Sequence, residues 1–149
     1  MPPPGGLHGV TCSKTDRKLG VFIDGGTGGT LVCNDTGFIT KRDPDSVRGP
    51  DISYWSKERL TEVSVGYIEI APDLLVEVLS PSNTWKQIRA KLVEYFTRGV
   101  RLVWVIAPED RTLTIFRTPD EGRLLHETAT VTGEDVLPGF ACRVSDLLA

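Results

Sequence analysis

Histidine and cysteine are scarce in this chain, and their scarcity removes several chemistries at once. His8 and His126 are the only histidines, too few for a histidine-rich metal cage. Cys12, Cys33 and Cys142 are odd in number, widely spaced and without a C-x-x-C pair, which argues against a disulfide framework or a zinc site. No apolar run approaches the roughly 18 residues needed to span a bilayer. The start, Met1-Pro-Pro-Pro-Gly-Gly6, has neither the basic opening nor the apolar middle of a signal peptide. A soluble, cytoplasmic protein is the expectation. Positive charge is not in excess either: the formal net charge is -3 and the sequence pI about 5.4. Binding of nucleic acid by bulk electrostatics is therefore excluded, and any such contact must be local.

What is present suits one globular domain over residues 1–149, with 40% hydrophobic and 25% charged residues and length enough to bury a core. The glycine-rich stretch Asp24-Gly-Gly-Thr-Gly-Gly-Thr30 lacks the Lys-Ser/Thr ending of a phosphate-binding loop, so it is expected to turn the chain into a strand. Local cations gather at Lys14, Arg17 and Lys18, at Lys41 and Arg42, and at Lys86, Arg89, Lys91 and Arg98. Solubility alone accounts for many such residues.

Hydrophobic periodicity orders the elements. A short helix is expected from His8 to about Leu19, and Thr30 to Thr40 reads as extended chain kinked at Gly37. Gly49 to Ser56 reads as a strand entered through Pro50, with Asp51 at its mouth. Pro72-Asp-Leu-Leu-Val-Glu-Val-Leu-Ser-Pro81 is an apolar run of strand length. Ser80 to Thr84 then offers helix N-caps, and Trp85, Ile88, Leu92, Tyr95 and Phe96 fall on one helical face that Gly99 ends. Arg101 to Ala107 is apolar throughout, as a strand covered on both faces requires. Strand, helix and strand with short joints make a right-handed βαβ unit with parallel strands. Thr112 to Arg117 is the expected hairpin partner, Leu124 to Val131 a further strand, and Val144 to Leu148 a closing helix.

Acids punctuate this frame. With a strand period of two, Asp73 and Glu77 point to one face, and Leu74, Val76 and Val78 to the other. Removing an ionised carboxylate from water costs several kcal/mol unless a cation or donors replace the water. The plain account of Glu77 is a strand with one wet side, or a pairing with a structural arginine. Lys91 lies about 90° from the centre of the helix's apolar stripe, at a flank from which it can reach over the sheet. A lysine so placed often does no more than cover core edge with its methylenes.

Pro50-Asp51, the Pro72 to Pro81 block, Lys91-Leu-Val-Glu-Tyr-Phe96 with Gly99-Val-Arg-Leu-Val-Trp-Val105 after it, and Leu137-Pro-Gly-Phe140 together resemble the small bacterial restriction endonucleases of the Uma-two type. That family is a branch of the PD-(D/E)XK nuclease superfamily, and the resemblance runs from about Pro2 to the end of the chain. It implies an α/β (α+β) fold with a restriction-endonuclease-like core, a mixed β-sheet flanked by helices. It also implies a DNA endonuclease dependent on Mg²⁺ or Mn²⁺, with Asp51 as the acid of the PD pair and Glu77 as that of the (D/E)XK triplet. Leu79 stands where the triplet has lysine, and the resemblance suggests Lys91 as the replacement. Asp51, Glu77 and Asp73 are then the candidate metal ligands, and Asp51, Glu77 and Lys91 the catalytic residues. Family members usually carry an acidic amino-terminal segment ahead of the part that resembles Pro2 to His8, and this chain reads as beginning after it.

Hard carboxylate oxygens suit Mg²⁺, which polarises a phosphoryl group, orients water and neutralises developing charge. Nucleases that cut both strands commonly work as two-fold dimers, so a homodimer is a further expectation. The alternative is a catalytically inactive module of the same fold that binds nucleic acid or a partner protein.

Overall fold

A computed structural model describes residues 2–149 of the chain. Helix α1 (Gly6–Phe22) begins directly after the prolines, longer at both ends than its apolar pattern indicates. Its inward face explains the weak pattern, because two of its buried residues are threonines. Thr11 Oγ1 donates to Leu7 O at 2.8 Å and Thr15 Oγ1 to Leu147 O at 3.4 Å, so both hydroxyls are satisfied inside. Leu19 completes the row. The glycine-rich stretch follows as a wide helical turn, Ile23–Thr27, and leads into strand β1 (Thr30–Cys33). At Gly29, φ is +105° and a Cβ would sit 2.5 Å from Trp55 O, so backbone packing selects the glycine.

Strands β2 (Phe38–Lys41) and β3 (Ser46–Arg48) pair as a small separate hairpin. Strand β4 (Ile52–Trp55) pairs antiparallel with β5 (Leu74–Val78). The expected crossover follows: helix α2 (Trp85–Arg98) returns the chain to β6 (Leu102–Ala107), parallel to β5. Thr84 caps α2 reciprocally with Gln87, and Gly99, at φ +110°, closes it in the left-handed conformation that glycine adopts without strain. Strands β7 (Thr112–Thr118) and β8 (Glu121–His126) add an antiparallel hairpin, giving a six-stranded mixed sheet in the order β1-β4-β5-β6-β7-β8.

Two expectations are corrected. The strand expected from Leu124 to Val131 is broken by a turn after His126, because the chain leaves the large sheet there and forms β9 (Thr130–Gly133) with β10 (Leu137–Arg143) in a second one. Val131 and Leu137 of that hairpin are buried in the core, a tertiary docking that short alternation does not reveal. Trp85 starts α2 but is 62% exposed, whereas Ile88, Leu92 and Tyr95 are buried.

The sheet divides two cores. Leu74, Val76, Val78, Leu102, Trp104 and Ile106 face α1 and the β9–β10 hairpin, while Leu75, Val103 and Val105 face α2. Both faces of β5 and β6 are thus covered, which is why their sequences are apolar without a break. Glu77 lies on the α2 side by strand parity, among Leu75, Val103 and Val105.

Candidate active site

Antiparallel register brings the acids together. Ile52 lies opposite Val76, so Asp51, the residue before β4, arrives beside Glu77 near the end of β5. Asp51 Oδ2 accepts the Val78 backbone N–H at 2.7 Å, which pins its carboxylate across the strand end. Its other oxygen, Oδ1, lies 3.2 Å from His8 Nε2 on α1.

Glu77 is 8% exposed. Tyr95 on α2 donates its hydroxyl to Glu77 Oε1, and Lys91 Nζ stands 3.7 Å from the same oxygen. Lys91 and Tyr95 are one helical turn apart, so α2 presents both to one carboxylate oxygen. Among the described residues no hydrogen bond is directed at Oε2.

Burial pushes the carboxyls of both Asp51 and Glu77 above the usual carboxylate range. For Asp51 the Val78 N–H and His8 oppose that push, while the charge of Asp35 adds to it. For Glu77 the opposition comes from Lys91 and Tyr95, and the charge of Asp51 adds to the push. The charge of Asp51 raises Glu77, and a cation between two carboxylates in a dry site relieves such a push. The donor set fits a hard divalent ion: oxygen ligands, one carboxylate oxygen without a donor, and the push of the Asp51 charge on Glu77 to neutralise.

Asp73 does not join this group. It shares strand parity with Glu77 but lies four residues away along the strand, about 13 Å. Its carboxylate, 2% exposed, is taken up by Arg59 Nε at 3.2 Å, Arg101 Nη1 at 3.3 Å and the Ser56 backbone N–H at 2.7 Å. The expectation that Asp73 ligates the same ion is therefore dropped: it anchors the opposite end of β5. The structural arginine considered for Glu77 belongs to Asp73 instead.

Three functional candidates escaped the sequence reading. His8 and Cys12 are one turn apart on α1, with Cys12 Sγ 3.6 Å from His8 Nδ1 and 3.9 Å from Nε2. With Asp51 they form a group whose ligand atoms all lie within 4.8 Å of one another. Their i, i+4 spacing was visible, but not their apposition to Asp51. Burial and the Asp51 charge push the Cys12 thiol up to about 12. Tyr95 reads as core from its place on the apolar stripe, and the structure adds the bond of its hydroxyl to Glu77.

The other cations are partly committed. Arg89 pairs with Asp120, Arg42 with Asp45 and Glu69, and Arg98 donates to the carbonyls of Ile39 and Glu69. Lys14, Arg17 and Lys18 line a groove of about 480 Å³ floored by Phe22 and Phe140. No helix is long and apolar enough to cross a membrane among the described residues.

A family model described as "Uma2: Putative restriction endonuclease" matches residues 1–145. A similar solved structure is the "Crystal structure of a putative nuclease belonging to DUF820" from Anabaena variabilis ATCC 29413. It is 22% identical with a TM-score of 0.80, and the match covers 98% of this chain and 82% of that one. At that identity the likeness shows the fold, a mixed sheet flanked by helices. Comparison with curated proteins found no match.

Proposed function

Because the chain belongs to the Uma2 restriction endonuclease family, we propose that it hydrolyses phosphodiester bonds of DNA with Mg²⁺ or Mn²⁺ held by Asp51 and Glu77. The observation that carries this reading is the meeting of Asp51, Glu77 and Lys91 at one strand end, with Lys91 arriving from the helix and not from the strand. When bound, the ion would polarise the scissile phosphoryl group and lower the pKa of water.

The chain's own residues do the rest. The Val78 N–H holds Asp51 through Oδ2 and so sets the direction of the carboxylate. Tyr95 and Lys91 fix Glu77 through Oε1 and leave Oε2 for the ion. Lys91, with a side chain 28% exposed, is positioned to orient water or to stabilise charge on the phosphate. Substrate DNA would be met locally, since the net charge of -3 offers no general attraction.

A second reading is favoured by a specific contact: His8 occupies Asp51 Oδ1, an oxygen that the ion would need. On that reading the chain binds nucleic acid or a partner protein without cutting. Incubation with plasmid and short duplex DNA in Mg²⁺ or Mn²⁺, beside Glu77→Ala and Lys91→Ala, separates the two. Metal-dependent cleavage that both substitutions reduce by about 10²-fold or more is expected. Cleavage no greater than that of Glu77→Ala would sink the enzyme, and DNA binding without cutting would favour the second reading.

A further inference from the structure

His8, Cys12 and Asp51 combine a nitrogen, a sulfur and an oxygen donor at one point, and Mg²⁺ chemistry makes no use of the first two. Imidazole and thiolate favour zinc and its neighbours in the transition series. We infer that His8, Cys12 and Asp51 form a binding site for a thiolate-preferring divalent transition ion such as Zn²⁺. The inference rests on the nuclease reading only in that Asp51 is shared with it.

The spacing supports the assignment. Zinc–ligand distances of about 2.0–2.2 Å to nitrogen or oxygen and 2.3 Å to sulfur set the edges of a tetrahedron at roughly 3.4 Å for N···O and 3.6 Å for N···S. His8 Nε2 lies 3.2 Å from Asp51 Oδ1 and 3.9 Å from Cys12 Sγ, so shifts of about 0.3 Å bring those two edges to the zinc values, and all three ligand atoms lie within 4.8 Å of one another. Two of the three ligands sit one turn apart on a rigid helix, the spacing by which helices present paired metal ligands. The third is already oriented, because the Val78 N–H holds Oδ2 and leaves Oδ1 toward His8. The His8 and Asp51 side chains are only 15% and 13% exposed, so the site is nearly dry. Cys12 Sγ approaches both ring nitrogens of His8 and the carboxylate, which makes a closed triangle and not the nucleophile–base–acid relay of a hydrolase triad. Three protein ligands leave a fourth position for water or substrate, and binding expels the thiol proton to solvent.

Cobalt reports such a site without any activity. The purified, reduced full chain is titrated with Co²⁺, and thiolate ligation is read as a sulfur-to-cobalt charge-transfer band in the near ultraviolet. One equivalent should produce the band, Zn²⁺ should abolish it by displacement, and excess Mg²⁺ should not. The Cys33→Ser/Cys142→Ser double variant should keep the band, and Cys12→Ser should lose it with at least about 10-fold weaker binding. Absence of the band from the wild-type chain, or its loss from the double variant, would overturn the site. Loss of DNA cleavage with the band intact would count only against the nuclease reading.

Discussion

Substituting Asp73 by asparagine tests whether this acid is an anchor, as its surroundings indicate. Its carboxylate receives Arg59, Arg101 and the Ser56 backbone N–H, and its backbone carbonyl accepts from Leu102 at 3.0 Å, so it ties the starts of β5 and β6 to the loop after β4. Asparagine keeps the shape and one acceptor but removes the charge and turns an amide donor toward two guanidiniums. Breaking a buried ion pair costs about 3–5 kcal/mol. The side chains of Arg59 and Arg101 are 28% and 39% exposed, so water softens the loss and the low end, about 3 kcal/mol, is expected. For a chain of this size that lowers Tm by roughly 6–12 °C. Urea unfolding should show the loss as a lower midpoint at unchanged slope. Binding of Mn²⁺, measured by calorimetry at a temperature where the variant is folded, should match wild type. An unchanged midpoint together with weakened Mn²⁺ binding would refute the reasoning and restore Asp73 as a ligand.

Glu77→Gln should stabilise the metal-free chain near neutral pH while abolishing cleavage. The folded-state pKa of Glu77 is raised by burial, so between its unfolded and folded values the folded state holds a proton that the unfolded state has released. Stability therefore falls as pH rises through that window and stays lower above it. Glutamine does not titrate, so thermal melts in a chelator should show its advantage above the folded pKa and none below the unfolded one. Tyr95→Phe removes the donor to Glu77 Oε1, which should destabilise the fold by about 1–3 kcal/mol and move the acid limb of the cleavage profile to higher pH. An unmoved limb would mean that the hydroxyl does not tune the carboxylate. Thr84→Ala removes the cap of α2 and should cost about 1 kcal/mol in denaturant unfolding. Cleavage should be unchanged where the variant is folded, because Lys91 lies two turns inside the helix.

Much was legible in local pattern. The βαβ unit, its cap at Thr84 and its stop at Gly99 follow from interactions within a few residues, which a linear reading sees directly. Side-chain parity placed Glu77 on one face, and helical angle placed Lys91 at the flank from which it reaches that face. Residues whose role depends on a distant partner were less legible. Thr11 and Thr15 hide a buried helix face behind polar letters: Thr15 donates to the distant Leu147 O, and Thr11, donating to Leu7 O one turn back, is buried only because the rest of the fold packs over it.

The acids draw the division most sharply. Sequence alone determined that Asp73 and Glu77 share a face, since a strand's period of two is a property of its backbone. Tertiary structure decided that they do different work, because parity says nothing of distance along the strand or of which side chains wait at each end. At one end two arginines converge from the loop after β4 and the start of β6. At the other, antiparallel register delivers Asp51, α2 delivers Lys91 and Tyr95, and α1 delivers His8 and Cys12. Those residues are far apart in sequence, and folding the chain onto both sides of one sheet is what brings them to a single strand end.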